Sequence, residues 1–413
     1  MIDMALLREQ FNETKARILR KEPNFPVDQL VNLDQEVRKL KTAIDEIRKE
    51  KNSLANLGAQ GATAEVRARA HALSEELKKQ EGALSLVEKS YKDLALSCPN
   101  LGFDDIPSGG KEANKVVRTH GTAQQFTFTP KHHMQLNEKN AWFDMQKAAA
   151  MTGTQFVIYL EQGAKIIYAL THMMLKNNVK HGFKPVIPPA LIAEKALYNP
   201  GNLPKFAGDY YSLPNDGLCL IPTSEVSLTN LHVNETFAPG SLPVRYTSWT
   251  SCFRREAGGY GANDRGLIRI HQFEKVELYS ITQQENSVQE LETMVSCAEQ
   301  LLQELGLHYR VSLLAAQDCS FQSAKTYDIE VWLPGQNQFY EISSCSNCTD
   351  FQARRSGIRY KTSNDAKPQL VHTLNASSLA LPRLMVALME TYQQEDGSIK
   401  LPPALTRVMD ALW

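Results

Sequence analysis

Apolar side chains between residues 28 and 97 recur at alternating intervals of four and three, the heptad spacing of helices that pack along one stripe. Two glycines, Gly58 and Gly61, interrupt this pattern near its middle. Helices joined by so short a turn run antiparallel, so the segment is predicted to be a helical hairpin. Each helix of about 30 residues would extend about 45 Å. The stripe consists of Leu33, Val37, Leu40, Ile44, Ile47 and Leu54, and then of Leu73, Leu77, Leu84, Val87, Tyr91 and Leu94.

The rest of the chain mixes helical and strand patterns. Residues 99–118 are rich in proline and glycine and are predicted to link an N-terminal arm, residues 1–98, to a larger domain, residues 119–413. In that domain, residues 273–281 and 327–333 alternate charged with apolar side chains, which is typical of an antiparallel sheet with one wet face. The expected fold class is α+β: an antiparallel β-sheet flanked by helices, preceded by an antiparallel α-helical coiled-coil arm. Helices are predicted near residues 137–151, 161–180 and 285–305.

Composition and charge restrict the class of protein. The 413 residues carry 45 Lys and Arg against 46 Asp and Glu, and 42% of them are hydrophobic, as in an ordinary globular protein. Without a basic excess, a nucleic-acid partner would be bound through local surface and shape. The N-terminus, with Asp3, lacks an apolar targeting segment, and no apolar run is long enough to span a membrane, so a cytoplasmic location is expected.

The seven cysteines are odd in number and irregular in spacing, which favours a reducing compartment. Cys345 and Cys348 form a single C-x-x-C. A zinc site needs about four ligands, and no second pair follows at a suitable distance. Two small buried residues on a strand or turn are therefore the favoured interpretation, with zinc as the alternative.

Arginines are concentrated in a segment predicted to form a β-hairpin around residues 252–277, where two strand-like runs flank a loop rich in glycine and asparagine. Cross-strand ion pairs with neighbouring glutamates would account for some of these arginines. A guanidinium is also a planar fork that matches phosphate oxygens. Because the arginines exceed what ion pairing requires, a polyphosphate ligand is predicted. The arginines are Arg254, Arg255, Arg265 and Arg269.

Two later segments add candidate chemistry. Glu341 and Ser344 offer two oxygen ligands of the kind that Mg²⁺ accepts, although by itself a glutamate on a strand is usually only exposed. Further on, a polar turn leads into an apolar helix, for which Ser377 or Ser378 is the predicted N-cap and Arg383 lies in the opening turns. Neither G-x-G-x-x-G nor G-x-x-x-x-G-K-[ST] occurs, so a nucleotide would not be bound by a Rossmann turn or a P-loop.

Together these segments resemble the class II aminoacyl-tRNA synthetases. The run Phe253-Arg254-x-Glu256 resembles motif 2, and Arg383 on a late helix resembles motif 3. Residues 182–189 resemble motif 1, which forms the dimer interface in that class. Within the class, the chain resembles the bacterial-type seryl-tRNA synthetase family in its N-terminal arm and in residues 221–225, 265–277, 325–335 and 341–347.

The resemblance implies that L-serine is activated with ATP and transferred to the 3′ end of tRNA(Ser), with tRNA(Sec) as a second candidate. It also implies a homodimer, in which the arm binds tRNA and reaches the active site of the partner. The implied catalytic residues are Arg254, Arg269 and Arg383. The implied ATP site comprises Arg254, Arg255, Glu256, Phe273, Glu341, Ile342, Ser343, Ser344 and Arg383, with Mg²⁺ on Glu341 and Ser344. The implied serine site comprises Thr223, Ser224, Glu225, Arg254, Glu277, Asn375 and Ser377.

The chain also departs from the family pattern. Glycines are usual where Ala376 and Ser378 stand, and Val-Gly is usual where Leu381 and Pro382 stand. The added atoms are expected to reshape the ATP pocket, because glycine permits close approach of the backbone to a ligand. Ala262 replaces a usual arginine in the hairpin loop and is expected to weaken contact with the end of the tRNA.

Three other functions are compatible with parts of the pattern. A synthetase-like amino acid:carrier-protein ligase would lack the arm, whereas the heptads are present. A non-catalytic paralogue that binds RNA or regulates would be marked by loss of the phosphate arginines, whereas Arg254, Arg269 and Arg383 are present. A coiled-coil scaffold would not need a body of about 300 residues.

Overall fold

The chain divides into two compact units, residues 1–99 and residues 100–413. The sequence predictions for Gly61, Ala262 and Arg265 lie outside the residues that the structure describes. In the part of the chain that is described, every helix is too short or too polar to span a bilayer. The computed structural model describes residues 1–58, 63–256 and 266–413.

The first unit is helical. Its two long helices form the predicted hairpin, since cross-helix ion pairs join Lys41 to Glu88 at 2.7 Å and Arg48 to Glu81 at 2.9 Å. Along the first of these helices the paired residue numbers increase from 41 to 48, while those of their partners on the second decrease from 88 to 81, so the two helices run antiparallel. Along the predicted stripe the most buried side chains are Val37, Ile44, Ile47 and Leu73. The helices are α1 Met4–Glu9, α2 Phe11–Lys21, α3 Val27–Gly58 and α4 Ala64–Leu96.

The second unit is built on a large sheet. Among the described residues this sheet has eight strands in the order β1-β11-β12-β13-β16-β10-β9-β4, all neighbours antiparallel except β4 and β9. The strands are β1 Lys115–His120, β2 Phe143–Asp144, β3 Ile158–Tyr159, β4 Lys184–Pro185, β5 Leu191–Ala193, β6 Ser212–Leu213, β7 Leu218–Leu220, β8 Thr236–Phe237, β9 Val244–Phe253, β10 Gln272–Thr282, β11 Tyr309–Leu313, β12 Lys325–Leu333, β13 Gln338–Asn347, β14 Arg359–Tyr360, β15 Gln369–Leu370 and β16 His372–Ala380.

Helices cover part of the large sheet, and α7, α9 and α11 pack on its central strands. Their apolar side chains and those of the strands form one continuous core, which includes Leu170, Leu301 and Met385 from the helices and Leu278 from β10. The fold class predicted from the sequence is thereby confirmed. The helices are α5 His133–Asn140, α6 Met145–Thr152, α7 Glu161–Lys180, α8 Ser224–Thr229, α9 Ser287–Glu304, α10 Phe351–Ser356, α11 Leu381–Thr391 and α12 Pro403–Leu412.

The single helix predicted over residues 137–151 is wrong, because two helices stand there. Ala141 adopts the left-handed conformation with φ of 50°, which ends α5. The side chain of Asn137 then accepts the backbone N–H groups of Trp142 and Phe143, and Asp144 caps the start of α6. Periodicity alone did not reveal this break, since the apolar spacing continues across it.

The predicted N-cap at Ser377 or Ser378 is also wrong. Both residues lie inside β16, which continues to Ala380, and α11 begins at Leu381. Pairing of β16 with β10 extends the strand through this polar run. Arg383 does lie in the first turn of α11, as predicted.

Candidate active site

A cavity of about 450 Å³ opens on the large sheet, with walls from β10, β13, β16 and the start of α11. Cavities of this size are typical of small-molecule sites. Most of the residues singled out in the sequence line it, although they come from separate parts of the chain. They are Thr223, Glu225, Arg254, Glu256, Arg269, Phe273, Glu277, Glu341, Ile342, Ser344, Asn375, Ser377 and Arg383.

Three of the residues singled out in the sequence do not line this cavity. Ser224 is fully buried in α8. Ser343 is buried and donates a hydrogen bond of 2.5 Å to the backbone carbonyl of Ser377. Arg255 is exposed, with its guanidinium carbon 5.8 Å from the ring centroid of Tyr211. These three residues therefore adjoin the cavity wall without forming it.

The pleat of β10 explains why every second side chain of this strand lines the cavity. Alternate residues of a strand point to opposite faces. Phe273, Lys275 and Glu277 accordingly line the cavity, whereas Val276 and Leu278 between and beyond them belong to the apolar core. The same strand thus supplies the core with one set of side chains and the cavity with the other.

Two arginines are held at the cavity wall by backbone oxygens. Arg254 follows β9 and donates from Nε to the carbonyl of Pro222 at 3.3 Å, while its guanidinium carbon lies 5.3 Å from the ring centroid of Phe273. Arg383 donates from Nη1 to the carbonyl of Glu341 at 2.9 Å. Such hydrogen bonds fix guanidinium groups in advance of any ligand.

Further charge pairs lie on the same wall. The guanidinium of Arg269 lies 2.6 Å from a carboxylate oxygen of Glu256. Nη1 of Arg383 also lies 3.4 Å from Oε2 of Glu341. Cations and anions therefore alternate around the cavity, an arrangement suited to a ligand that itself carries both signs of charge.

One end of the cavity is lined by two buried carboxylates, Glu225 and Glu277. Thr223, the N-cap of α8, donates from Oγ1 to Oε2 of Glu277 at 3.0 Å. Nζ of Lys275 lies 2.6 Å from the same oxygen. Glu277 is thus held by a hydroxyl and an ammonium group.

Glu225 is held by amides. Its Oε1 accepts Nε2 of Gln352 at 2.7 Å and Nδ2 of Asn375 at 3.0 Å. Burial, and after it the charge of Glu277, raises the pKa of the Glu225 carboxyl to about 7, while the hydrogen bond from Gln352 and the charges of Lys275 and Arg254 oppose this rise. Glu225 therefore changes charge near neutral pH.

The departures from the family pattern differ in whether they reach the cavity. Ala376 and Ser378 are buried away from the cavity, so the expectation that they reshape an ATP pocket is not met, whereas Pro382 does line the cavity. Ser378 begins a series of hydrogen bonds through the core. Its Oγ donates to Oδ1 of Asn178 at 3.1 Å, Nδ2 of Asn178 donates to Oγ1 of Thr247 at 2.9 Å, and that hydroxyl donates to the backbone carbonyl of Glu277 at 2.9 Å.

Sequence reasoning missed several residues that line the cavity or support it. The alternation of β10 was enough to identify Lys275, and that of β13 was enough to identify Ser346, two residues after Ser344. Ser320 reaches the cavity from a connection between strands, for which the sequence carries no periodic signal. Gln352, on α10, does not line the cavity but donates a hydrogen bond to Glu225, which does.

Residues that could hold a metal occur at two places in the described part of the chain. Beside Glu341 and Ser344, Oδ1 of Asp328 is buried and lacks a hydrogen-bond partner among the described residues. Away from the cavity, His132, His133 and Glu390 form a tight group, but the Glu390 carboxylate already accepts hydrogen bonds from the backbone of His133, from Gly335 and from Gln336. We therefore regard the second group as a buried structural network.

The cysteine pair also has a defined place. Cys345 lies on β13 and Cys348 follows that strand, and both are fully buried. The side chain of Asn375 donates to Sγ of Cys348 at 3.4 Å. Both thiols thus form part of the packing behind the cavity.

Comparison with known proteins gives matches along the whole chain. The model of the seryl-tRNA synthetase N-terminal domain matches residues 1–102, and that of the tRNA synthetase class II core domain (G, H, P, S and T) matches residues 211–392. The serine–tRNA ligases of Chlamydia abortus and Syntrophobacter fumaroxidans are 41% and 40% identical, each over 98% of this chain and 97% of its own length. The crystal structure of seryl-tRNA synthetase from Pyrococcus horikoshii complexed with ATP is 31% identical, with a TM-score of 0.93 over 99% of this chain and 98% of that chain.

Proposed function

Since the chain belongs to the seryl-tRNA synthetase family, we propose that it activates L-serine with ATP in the cavity described above and transfers the seryl group to the 3′ end of tRNA(Ser). One observation carries the assignment of the site. Arg254 and Arg269, from the β9–β10 hairpin, and Arg383, from α11, line one cavity with the carboxylates Glu225 and Glu277. Guanidiniums suit the phosphates of ATP, and carboxylates suit an amino-acid ammonium group.

The first step joins serine to the α-phosphate of ATP. The serine carboxylate attacks the α-phosphorus, the bond to the bridging oxygen breaks, and pyrophosphate leaves. Negative charge gathers on the oxygens around phosphorus, where Arg254 stabilises it, and on the departing group, which Arg383 and Arg269 hold. Because a carboxylate is already ionised, no side chain has to act as nucleophile or general base, and fixed cations and positioning provide the catalysis.

The base of ATP is assigned to the other end of the cavity. Phe273 offers an aromatic ring for stacking of adenine, and Glu256 offers a carboxylate to accept its amino group. The support for this assignment is that Arg254 already lies over the Phe273 ring at 5.3 Å, so that ring and α-phosphate ligand are adjacent. Ile342 would complete the apolar surface beneath the nucleotide.

Serine is assigned to the end of the cavity with the buried carboxylates. Glu225 and Glu277 would hold its ammonium group, and Thr223, Asn375 and Ser377 supply further polar groups around its hydroxyl. A buried site that hydrogen-bonds a hydroxyl rejects alanine strongly, because its polar groups would be left unpaired. Threonine would be rejected by shape.

Glu341 and Ser344 are proposed to hold Mg²⁺ against the phosphates. The nearby carboxyl of Asp328 supports the fit, because burial and then the charge of Glu341 raise its pKa well above the usual value, as expected where carboxylates gather without a cation. Its buried, unpartnered Oδ1 among the described residues points the same way. When bound, the cation would neutralise charge on the phosphates. This chain's own part is to orient Ser344 and Glu341 from β13.

The helical hairpin of α3 and α4 is proposed to bind the tRNA. Its surface carries balanced charges that pair with one another, as Lys41 does with Glu88 and Arg48 with Glu81. Recognition through shape and backbone, the usual mode for structured RNA, is compatible with such a surface. Charging of tRNA(Sec) and a cytoplasmic location remain predictions.

Pyrophosphate exchange tests the proposed reaction. The purified protein, given ATP, Mg²⁺ and each of the twenty amino acids in turn, is expected to exchange labelled pyrophosphate into ATP with serine and to charge tRNA(Ser) with it. Exchange with another amino acid but not with serine would contradict the assignment. Exchange without transfer to any tRNA would instead favour an amino acid:carrier-protein ligase.

Serine binding should weaken as the pH falls through neutrality. The pKa of Glu225 is about 7, so its carboxylate is mostly ionised at about pH 8 and mostly protonated at about pH 6. Protonation removes the negative charge that attracts the serine ammonium, so the apparent dissociation constant should rise about tenfold over this interval. Isothermal titration calorimetry with serine at the two pH values measures this change.

A matched variant separates the effect of Glu225 from pH effects that arise elsewhere in the protein. Glu225→Gln cannot ionise, so its serine binding should be weak and almost the same at both pH values. A wild-type affinity that does not change with pH, or a pH effect that persists in Glu225→Gln, would refute this role.

A homodimer is proposed through the edge of the large sheet formed by β4. The side chain of Ile187, just beyond β4, is 94% exposed, although isoleucine is usually buried. Trp249 on β9, the strand that pairs with β4, and Leu191, four residues after Ile187 in the sequence, are also exposed apolar residues. Apolar groups beside an edge strand suit a self-complementary contact with a second copy.

Replacing Ile187 by aspartate should shift the protein towards monomers. Burial of an unpaired charge in the proposed contact should weaken association by about 2 kcal/mol or more, as at the centre of other interfaces. Light scattering over a dilution series measures the change. Leu86→Asp is the matched control, because Leu86 is 72% exposed but lies in the other unit. Equal behaviour of Ile187→Asp and wild type would exclude this surface.

A further inference from the structure

Lys275 is a buried ammonium group on the cavity wall. Its side chain is 8% exposed, and its Nζ lies 2.6 Å from Oε2 of Glu277, whose side chain is 1% exposed. An unpaired buried charge is costly, so each group stabilises the other. In the absence of ligand, Lys275 is therefore the cation that neutralises Glu277.

The position of Lys275 along β10 places it near the expected site of the serine carboxylate. Residues two apart on a strand are separated by about 6.6–6.8 Å, so Lys275 lies midway between Phe273 and Glu277 on the same face. If the ammonium of serine is bound at Glu277 and adenine at Phe273, the carboxylate of serine has to lie between them. Lys275 is thus beside the place where that carboxylate meets the α-phosphate.

The ammonium of Lys275 also stands where the ammonium of a substrate would stand. Both would donate to Glu277, and two like charges at one oxygen repel. The lysine stem is flexible and its charge is compact, so Nζ is able to leave one oxygen for another. Arg254, in contrast, is fixed to the carbonyl of Pro222, and Glu225 is fixed by Gln352 and Asn375.

We propose that Lys275 determines specificity by exchanging partners: the ammonium of serine displaces it from Glu277, and it then pairs with the α-carboxylate of the same serine molecule. The pocket consequently selects a zwitterion. An amine without a carboxylate displaces Lys275 but gives it no new partner, so the freed cation opposes binding. This inference rests on the proposed binding of serine at Glu225 and Glu277.

Serine and ethanolamine form the test pair, because ethanolamine keeps the ammonium and the hydroxyl but lacks the carboxylate. Calorimetric titration of each ligand is carried out on the full-length wild type and on Lys275→Met. In the variant, Glu277 lacks its internal cation, so ethanolamine should bind more tightly than to wild type, while serine should bind more weakly. The preference for serine should fall about tenfold or more, the effect of losing one hydrogen bond to a charged group.

Opposite changes for the two ligands distinguish this role from structural support. If Lys275→Met weakens serine and ethanolamine in proportion, or changes neither, the exchange of partners is refuted. Lys275→Gln, a second neutral variant, must reproduce the reversal if Lys275→Met fails to fold. Lys275→Arg retains the charge and should keep most of the wild-type preference, and a loss as large as that in Lys275→Met would also refute the proposal. Failure of the wild type to bind serine would refute the proposed function instead.

Discussion

Replacing Arg254 by alanine will slow serine-dependent pyrophosphate exchange by about 10²–10³-fold, which corresponds to about 2.7–4 kcal/mol of transition-state stabilisation. The guanidinium is held at the cavity wall before any ligand binds, by its hydrogen bond to the carbonyl of Pro222 and by its position over Phe273. In the proposed mechanism, alanine removes a fixed cation from the place where charge develops on the α-phosphate. The ratio kcat/KM for exchange, measured with serine and ATP each varied, reports the loss.

Arg310→Ala is the matched control for this experiment. Arg310 lies on β11 of the same sheet and pairs with Glu330 at 2.8 Å, but it does not line the cavity. Its replacement should leave exchange nearly unchanged. If Arg254→Ala exchanges pyrophosphate as fast as wild type does, the assignment of the phosphate site is refuted.

Removing residues 33–94 will abolish charging of tRNA(Ser) and leave serine-dependent pyrophosphate exchange largely intact. The ion pairs Lys41–Glu88 and Arg48–Glu81 set the register of the hairpin, so residues 33 and 94 lie at about the same level and a short glycine–serine linker can join the cut ends. In the proposed mechanism, activation depends only on the cavity of the second unit, whereas transfer requires bound tRNA. Exchange and aminoacylation assays on the same preparation measure both activities.

The exchange assay is itself the control for folding of this deletion variant. Equal aminoacylation by the deletion variant and the wild type would refute the role of the hairpin. Loss of both activities would show that activation depends on the arm, which would also contradict the prediction. Restoring the deleted segment with its seam residues Val37 and Ile44 replaced by serine should leave charging impaired, because the two helices then lose buried apolar contacts.

Much of the fold was accessible from hydrophobic periodicity. The four-three alternation identified the hairpin because a long apolar stripe has few alternative explanations, and Val37 and Ile44 are indeed buried on it. The two-residue alternation identified β10 and β12 as strands, but the predicted wet face of β10 is wrong, because Lys275 and Glu277 are buried at the cavity wall. Such patterns record which side of an element meets the apolar core, which is a property of the local sequence.

What periodicity did not reveal depended on tertiary contacts. The break between α5 and α6 is made by the side chain of Asn137, and β16 extends through Ser377 because it pairs with β10. A serine run near a helix predicts a cap only if no neighbouring strand competes for its backbone groups. The competing strand, β10, is distant from Ser377 in the sequence, so the residues around Ser377 do not reveal it.

The candidate site was predicted unevenly for a similar reason. Arg254, Glu277 and Arg383 were identified from motifs and lie on one cavity. Lys275 was overlooked although it is two residues from Glu277. Its importance comes from its ion pair with Glu277, which only the structure shows. Gln352 was inaccessible, since its role at Glu225 arises from helix α10 folding behind the pocket.

The hydrogen bonds from Ser378 through Asn178 and Thr247 to the backbone of Glu277 tie one departure from the family pattern to another region of the chain. A serine in place of the usual glycine gives Oδ1 of Asn178 a hydroxyl donor. Positions 378 and 178 should therefore be epistatic. Reversion of Ser378 to glycine should change the free energy of unfolding by a different amount when position 178 is leucine instead of asparagine. In related sequences, substitutions at these two positions are expected to occur together, because paired changes preserve the hydrogen bonds that hold the backbone of Glu277.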